Sequence, residues 1–346
     1  MTDAFSGTVM RAMELVGWME LDGTVLGPDQ LADLLTHAPE RIRQCGGEFF
    51  LRWDGCMARD PMGIVPGPCP PGRVVCDGAD RGAISPDPPP MELRHALQTA
   101  VRLRSGDGGV VAFSGGVDSA LIAALSGFDC VVVGVEGSHD IRRAQEAAGR
   151  IGCPLHVHTI TAAGIADALR QVVAALPDPT PVDVSIAATL WFAAEWAADH
   201  GFVRLLTGQG ADELFGGYAR YRESADLPGD LERDRADLPR QIARDQRVAA
   251  AHGLHLSLPY TDLRVMRAAS AIPAADLVRG DVGKIPLREC AARFIGPEIA
   301  WQRKKAMQYG SGVFTVIRRQ ARENGYKKSL QRYLIQMKES ESGLHG

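Results

Sequence analysis

Residues 110–119, VVAFSGGVDS, constrain the fold of this chain more than any other stretch. Val110 to Phe113 carry no polar side chain, so we predict a central strand that is buried on both faces of a parallel sheet. Gly115 and Gly116 then allow a tight turn with outward-pointing N–H groups. The helix predicted over 117–125 adds the positive end of its dipole at the same place. The stretch therefore predicts an anion site.

The spacing of this turn differs from the common phosphate-binding signatures. It matches neither GxGxxG nor GxxxxGK[ST], because it lacks a lysine and is too short to wrap a triphosphate. Ser114 and Ser119 place hydroxyls at both ends of the turn, which suits a pyrophosphate, and Asp118 can hold the metal of that pyrophosphate. The alternative is an ordinary strand–turn–helix connection, in which the glycines only permit close packing.

Composition excludes several classes of protein. The chain has 346 residues, 45% hydrophobic and 23% charged, which is typical of a globular protein long enough for two domains. No apolar run reaches the length of about 18 residues that a membrane span needs, and the N-terminus lacks a signal-peptide pattern, so we expect a cytoplasmic location without membrane contact. The seven cysteines are dispersed without a CxxC pair, which predicts neither a zinc site nor a disulfide framework. A net charge of −4 argues against a nucleic-acid surface over the whole protein.

Glycines and prolines divide the chain into two units. Residues 1–85 are expected to form a small α+β domain, in which the LDG and WDG segments are hairpin turns and a short helix runs from Gly27 to Leu35. Prolines within 86–90 neither pair in a sheet nor continue a helix, so a stiff linker is expected there. Residues 91–346 alternate strands with long helices, which predicts an α/β fold with a doubly wound parallel sheet.

The second unit has a definite predicted order of elements. Its strands are expected at 110–113, 130–135, 155–160 and 204–208. Its helices are expected at 91–103, 117–125, 140–151 and 185–200, with a further helical stretch that follows the third strand and ends at 176. Ligands of such sheets bind beyond the carboxyl ends of the strands. Ser114, Val135 and Thr207 fall at those ends.

A second stretch with chemical potential is LLTGQGADELFGGYARY, residues 205–221. Asp212 and Glu213 follow its glycine loop directly. Together with Asp118, this pair of acids predicts a divalent cation held between the two loops. The alternative is a helix N-terminus whose dipole the acids complement.

Together, SGGVDS and TGQGADELFGGY resemble the synthetase domain of asparagine synthetases and β-lactam synthetases. These enzymes are N-type ATP pyrophosphatases with the adenine nucleotide alpha hydrolase-like fold. The resemblance covers nearly all of residues 95–310 and continues through 133–152, 244–265 and 284–290. Enzymes of this family cleave ATP between the α and β phosphates, join AMP to a carboxylate and let an amine displace the AMP. The resemblance implies an ATP-dependent carbon–nitrogen ligase that uses Mg²⁺, a small-molecule carboxylate such as aspartate or a relative, and ammonia or another amine.

The resemblance also implies site residues, position by position. Asp118 and Asp212 would bind magnesium. Lys284, within KIPLR, would offset the negative charge on the acyl-adenylate and its tetrahedral intermediate, which agrees with the general need for a fixed cation over a developing oxyanion. The pyrophosphate would be held by Ser114, Gly115, Gly116, Asp118 and Ser119, and the adenosine would be lined by Ala112, Val133, Thr207 and Gly208.

The first unit has its own resemblance. GGEFFLRWDGCMARDPMGIVP is similar to a stretch of the glutaminase half of asparagine synthetases. In that family a cysteine at position two is the nucleophile, whereas this chain has Thr2, and the unit is shorter than a working glutaminase. We therefore expect a truncated, inactive glutaminase-like domain and a supply of free ammonia or another amine. The alternative is Thr2 acting as an N-terminal nucleophile.

Departures from the family pattern cluster where the second substrate is expected. Gln209 stands where asparagine synthetases usually have glutamate, and His255 and Ser257 stand where they have glutamate and arginine. Loss of an arginine removes a bidentate partner for a carboxylate, and histidine is a base that can switch near neutral pH. We expect Gln209 and His255 to belong to an altered catalytic pocket that uses aspartate poorly. The alternative is drift at positions outside the pocket, with aspartate still the substrate.

Two other classes of function share parts of this pattern. A tRNA-modifying ATP pyrophosphatase would share SGGxDS and could use the basic stretch 314–336, which we interpret as one helix, although the ADELFGGY motif and the negative net charge give no reason to expect nucleic acid. The third class is a nucleotide-binding regulator without activity, and the presence of Asp118, Asp212 and Lys284 argues against it.

Residues 300–312 resemble the family's closing loop, in which Arg303, Lys304 and Lys305 would close over the nucleotide. A homodimer is one expectation for the assembly.

Overall fold

The first part of the computed structural model is a six-stranded antiparallel sheet, here called the N-terminal sheet. The structure describes residues 13–106, 108–302 and 310–343 of the chain. One helix, α1 (Pro28–His37), and a 3-10 helix, Pro39–Gln44, pack on the sheet through side chains that include the buried Leu31 and Ile42. The strand order is β2-β1-β3-β4-β5-β6, with bounds β1 (Met13–Leu21), β2 (Thr24–Val25), β3 (Gly46–Trp53), β4 (Cys56–Arg59), β5 (Arg73–Cys76) and β6 (Ala79–Ala83).

Aspartate–glycine pairs make the tight turns of this sheet. The predicted hairpins at LDG and WDG are confirmed, since Asp22 and Asp54 and the glycines after them all have positive φ. Two successive residues with positive φ give the turn that matches the twist of a two-residue hairpin. A third turn of the same kind, at Asp77 between β5 and β6, was not predicted.

The prediction that the chain has no disulfide is wrong for one pair of cysteines. Cys56 and Cys76 stand directly opposite each other on β4 and β5 and form a disulfide. Their separation of 20 residues carries no recognisable spacing, because the pairing follows from the register between the two strands. The other cysteines are free and buried or partly buried, as expected: Cys45, Cys69, Cys130, Cys153 and Cys290.

The second part contains the predicted parallel sheet. All four strand pairings are parallel, and β7, the strand that leads into SGGVDS, is central. The fold prediction is confirmed, with one addition, because the fifth strand lies in a stretch interpreted only as a motif. The order is β11-β10-β7-β8-β9, with bounds β7 (Gly109–Ala112), β8 (Cys130–Val135), β9 (Leu155–Ile160), β10 (Arg204–Leu206) and β11 (His255–Ser257).

Helices cover both faces of this sheet, as its apolar strands require. Successive residues of one strand belong to different cores: Val110 packs in one hydrophobic cluster and Val111 in the other. A small hairpin pairs β12 (Val278–Arg279) with β13 (Val282–Gly283). The helices are α2 (Leu93–Leu103), α3 (Val117–Ser126), α4 (His139–Ile151), α5 (Ala162–Ala175), α6 (Pro181–Asp199), α7 (Ala211–Phe215), α8 (Leu227–Ala250), α9 (Leu263–Ser270), α10 (Ala274–Leu277), α11 (Ile285–Ile295), α12 (Pro297–Ala300), α13 (Val313–Glu323) and α14 (Leu330–Gly343), with 3-10 helices Ala219–Glu223 and Pro259–Thr261.

The basic C-terminal stretch forms two helices, so its interpretation as one helix is wrong. α13 ends at Glu323 and α14 begins at Leu330, with Gly325 at a φ of 91° between them. Each helix buries apolar residues in the core of the sheet, among them Ile317 of α13 and Leu334 of α14, and the cations of the stretch lie on the outer side. None of the described helices is long and apolar enough to cross a membrane.

A buried network of charges joins the N-terminal sheet to the parallel-sheet part. Glu48 on β3 accepts from Arg104 Nε at 2.7 Å, from Ser257 Oγ at 2.5 Å and from the backbone N–H of Leu258 at 2.7 Å. Arg104 also donates to Asp262 at 2.9 Å. A second arginine of the interface, Arg264, donates to Glu20 on β1 at 2.6 Å. Residues 84–92, which include the predicted linker, lie in neither helix nor strand, and the division into domains at this segment stays a prediction.

We expect Glu48→Gln to lower the free energy of unfolding by about 3 kcal/mol at pH 7, because it removes a charge that compensates buried Arg104. Burial alone would raise the pKa of Glu48, but Arg104 and the hydrogen bonds from Ser257 and Leu258 outweigh it and hold that pKa below its ordinary value near 4.5. A carboxylate with a lowered pKa stabilises the fold fully above its unfolded value and loses that contribution as the pH falls through the folded value. The difference between the two proteins in urea denaturation should therefore shrink below a pH of about 4.5.

A matched control is Arg52→Gln on the same strand, since the Arg52 side chain is 53% exposed and 3.9 Å from Glu14. Its effect should stay below about 0.5 kcal/mol at either pH. Equal stability of Glu48→Gln and the parent at pH 7 would contradict the role of this network.

Candidate active site

The serine–glycine turn after β7 has the geometry of an anion cradle. The backbone N–H of Ser114 donates to Ser119 Oγ at 3.2 Å, and the two hydroxyl oxygens lie 3.4 Å apart. Gly115 has a φ of 68°, and a Cβ there would lie 2.7 Å from the carbonyl oxygen of Arg143, so only glycine fits. Because α3 begins at Val117, its N-terminal N–H groups face the same place.

Three charged side chains converge beside this turn. Lys284 Nζ lies 2.7 Å from Asp118 Oδ1 and 2.7 Å from Asp212 Oδ1. Asp118 is in the first turn of α3, Asp212 is in the first turn of α7, and Lys284 immediately precedes α11. The Lys284 side chain is only 2% exposed. The structure thus brings together the two predicted metal ligands and the predicted catalytic lysine.

Close backbone packing places the lysine between the carboxylates. Lys284 has a φ of 63°, which is uncommon for a residue with a side chain, and its N–H donates to the carbonyl of Phe215 at 3.0 Å. A Cβ at Gly283 would lie 2.1 Å from the carbonyl oxygen of Gly216. A Cβ at Gly217 would lie 1.9 Å from Asp212 Oδ1 and 2.1 Å from Lys284 Cε. Gly217 and Gly283 are therefore needed for the approach of Lys284 to the carboxylates.

Two neighbouring residues support the site without pointing into the carboxylate pair. Glu213 accepts from the Tyr218 hydroxyl at 2.5 Å, and burial raises the pKa of Glu213. Tyr260 donates to the backbone carbonyl of Asp118 at 3.0 Å, and burial raises the Tyr260 pKa well above its ordinary value, so its hydroxyl keeps the proton that it donates. Tyr260 is not among the predicted site residues, because its contribution is a hydrogen bond to the backbone that residue type does not reveal.

The carboxylates of Asp118 and Asp212 fit a magnesium ion that a nucleotide brings with it. Among the described residues there is no group of three or more His, Cys, Asp or Glu side chains that could hold a metal alone. Magnesium usually takes one or two carboxylates and completes its shell with water and substrate phosphates. A pair of acids next to an anion cradle is the donor set for such an ion.

The residues expected to line the adenosine lie at the carboxyl edge of adjacent strands. Ala112 ends β7, and Val133 is buried on the neighbouring strand β8. The N–H of Thr207, just after β10, donates to the carbonyl of Ser257 at 3.1 Å. A Cβ at Gly208 would lie 2.9 Å from Asp118 Cβ, so the residues expected to line the adenosine and the expected metal ligands form one continuous edge.

The three departures from the family pattern do not share one environment. Gln209 accepts from Thr207 Oγ1 at 3.3 Å and donates to Asp245, so it lies next to the edge just described. Ser257 donates to Glu48 and belongs to the network beneath the N-terminal sheet. His255 Nε2 is buried without a hydrogen-bond partner among the described residues, and burial lowers the pKa of His255, opposed by the charge of Glu48. Thr2, Arg303, Lys304 and Lys305 lie outside the described residues.

The fold and this edge define a class of protein. A parallel sheet whose central strand enters an SGG turn, with acids and a lysine beyond the strand ends, is the architecture of an ATP pyrophosphatase. The asparagine synthase family model matches residues 92–236 and 231–344. The chain belongs to this family.

Individual relatives agree with this assignment. A putative glutamine-hydrolyzing asparagine synthetase 1 from Methanocaldococcus jannaschii is 30% identical over 292 residues, which cover 71% of this chain and 54% of the relative. Asparagine synthetase B from Escherichia coli, also described as glutamine-hydrolyzing, is 27% identical over 250 residues, 64% of this chain and 45% of that one. The chain thus spans about half the length of the curated relatives that it matches. An NMN synthetase structure from Francisella tularensis covers 69% of this chain at 14% identity and a TM-score of 0.31, which is too low to support an argument.

We expect Gly217→Ala to destabilise the protein by about 1–3 kcal/mol, because the new methyl group overlaps Asp212 and Lys284 in a packed site. A crystal structure of the variant should show Lys284 Nζ displaced from at least one carboxylate. Gly149→Ala is the matched control: it lies in α4 with nothing within 4 Å of the added Cβ. The free energy of unfolding of this control should rise by about 0.5–1 kcal/mol, because alanine is favoured over glycine inside a helix. An unchanged Lys284–Asp212 contact in Gly217→Ala would contradict the packing described here.

Proposed function

We propose that this protein is an ATP-dependent amide-forming ligase that activates a carboxylate as an acyl-adenylate, releases pyrophosphate and transfers ammonia or another amine. One observation carries this proposal. Asp118, Asp212 and Lys284 are distant in sequence, yet Lys284 Nζ lies 2.7 Å from a carboxylate oxygen of each aspartate, beside the serine–glycine turn. Membership of the asparagine synthase family supports it.

Each part of the edge has a role in this reaction. The hydroxyls of Ser114 and Ser119 and the N–H groups of the turn would bind the leaving pyrophosphate. Asp118 and Asp212 would hold Mg²⁺, which supplies positive charge to the phosphates. Lys284 would donate to the acyl-phosphate oxygen as negative charge develops on it. Tyr260 and Gly217 position these groups and do not react.

The proposed source of nitrogen depends on the role that we assign to the N-terminal sheet. The described residues of this sheet supply Glu20 and Glu48 to arginines of the interface. We propose that the sheet is structural in this chain and that the amine reaches the site from solution or with the second substrate. The relatives named above are described as glutamine-hydrolyzing, and that activity is not part of the proposal.

Asp212→Asn should reduce release of pyrophosphate from ATP by about 100-fold or more, because it removes one charge from the magnesium pair without changing the size of the side chain. Asp212 is preferred to Asp118 as the test because its side chain is 22% exposed, whereas Asp118 is buried against Lys284. The assay supplies ATP and Mg²⁺ with pools of amino acids, amines or tRNA and follows AMP and pyrophosphate.

Asp167→Asn, a change at an exposed acid of α5, should leave the rate unchanged. Near-normal activity of Asp212→Asn would contradict the metal assignment. Pyrophosphate release that depends only on tRNA would favour a tRNA-modifying enzyme, and no release with any pool would favour a regulator.

We expect aspartate to support little AMP formation. The described residues at the altered positions offer the substrate no arginine: Ser257 already donates to Glu48, and Gln209 is neutral. Leaving a carboxylate without its partner costs about 3–5 kcal/mol, or two to three orders of magnitude in affinity. The measurement is AMP formation against aspartate concentration with ammonium present. Robust turnover at low millimolar aspartate would instead identify an asparagine synthetase that uses ammonia.

A further inference from the structure

The outer side of the two C-terminal helices contains a basic pocket with a volume of about 230 Å³. It lies between α13, the turn before α14 and Pro181 at the start of α6. Four of its lining side chains are cations: Arg318, Arg322, Lys327 and Lys328. We call this group of residues the basic pocket.

In the described part of the chain, the positive charges of the basic pocket are not neutralised by acidic residues of its own lining. Its described lining residues include no carboxylate. The nearby Glu323 is directed along its own helix toward Arg319, with 3.8 Å between the charged atoms. The N-terminus of α14 adds positive potential, and of its first-turn N–H groups that of Arg332 donates to Ser329 Oγ at 3.3 Å. Four like charges around one concavity raise the local concentration of anions.

The basic pocket also has apolar walls, and these bear on the kind of anion. Phe314, Tyr326 and Leu330 line it together with the cations. The guanidinium of Arg318 lies over the Phe314 ring at 5.8 Å, and Tyr326 contacts Tyr333 at 5.4 Å between ring centres. Because these rings already contact neighbours, they do not form an open platform for stacked bases. A ligand with several carboxylates and some apolar side chains matches this combination of walls.

The position of the basic pocket relates it to the carboxyl edge of the parallel sheet. Just before α13, the carbonyl of Ser311 accepts from the N–H of Val135, the last residue of β8, at 3.0 Å. Further along α13, Gln320 donates to the carbonyl of Ala162 at 2.7 Å, at the start of α5, which follows β9. These two contacts attach α13, which forms one wall of the pocket, to the segments that follow β8 and β9.

We propose that the basic pocket is a docking site for a partner that carries an acidic peptide segment. The Arg318 and Arg322 forks on α13 and the Lys327 and Lys328 ammonium groups on the turn after it can pair with successive carboxylates of such a segment, while Leu330 packs against its apolar side chains. This proposal does not depend on the catalytic function, since binding can be measured without turnover.

The test is fluorescence anisotropy with the full chain and labelled hexaglutamate, with hexaglutamine as the uncharged probe. We expect binding of hexaglutamate that weakens as salt is raised. The variant Arg322→Gln/Lys327→Gln should bind it about fivefold more weakly or worse, because it removes two of the four cations. Both residues are exposed, so circular dichroism should show an unchanged fold.

The matched control is Arg52→Gln/Arg81→Gln, which removes two exposed cations from the N-terminal sheet and should leave the affinity unchanged. An equal loss of hexaglutamate affinity in both variants would show that binding depends only on overall charge, and it would overturn the proposal. Unchanged affinity in both variants would show that the basic pocket does not bind the probe, and it would also overturn the proposal. Tighter pocket-dependent binding of a labelled RNA octamer than of hexaglutamate would assign the surface to RNA and would also overturn it. Competition by millimolar inorganic phosphate as strong as that by unlabelled hexaglutamate would reduce the pocket to a site for a single anion.

Discussion

The ammonium group of Lys284 lies between the carboxylates of Asp118 and Asp212, and the rest of the site depends on this contact. A cation that is 2% exposed needs compensating charge nearby, because removing it from water costs several kcal/mol. The two carboxylates supply that charge, and in doing so they fix the start of α3, the start of α7 and the segment before α11 relative to one another. In the proposed reaction, a magnesium ion carried by a nucleotide would bind between the same two carboxylates, and its charge would compete with that of Lys284 for them. The contact that holds the site together would then also be the one that the substrate changes.

The sequence predicted those features whose cause is local. The strand β7, the SGG turn and α3 are specified by consecutive residues, and the hairpins at Asp22 and Asp54 are specified by aspartate–glycine pairs that tolerate positive φ. The disulfide between Cys56 and Cys76 depends on the register of two strands, which no local pattern reveals. β11 has only three residues and is a strand because it pairs with β10. The close approach of Gly216 to Gly283, and of Gly217 to the Lys284 side chain, likewise joins segments that are distant in sequence. What the sequence could not supply was the set of contacts between distant segments.

The candidate site shows the same division. The resemblance identified Asp118, Asp212 and Lys284 as charged groups of one site, and the structure places them in contact. Tyr260 escaped notice because its contribution is a hydrogen bond to the backbone of Asp118, which depends on the path of the chain rather than on residue type. The basic C-terminal stretch was visible as composition, but its pocket arises only because the chain breaks near Gly325 and turns back as α14.

Ser257 connects the altered family motif to the N-terminal sheet. Its hydroxyl donates to Glu48, the carboxylate that also compensates Arg104. An arginine at position 257 would add a second guanidinium to the buried network in which Glu48 and Asp262 now balance Arg104. Serine keeps the hydrogen bond and adds no charge, so Glu48 remains available to Arg104 and the sheet remains joined to the rest of the chain. The serine at position 257, one of the three departures from the family pattern, therefore suits the charge balance of the interface between the N-terminal sheet and the parallel-sheet part of the chain.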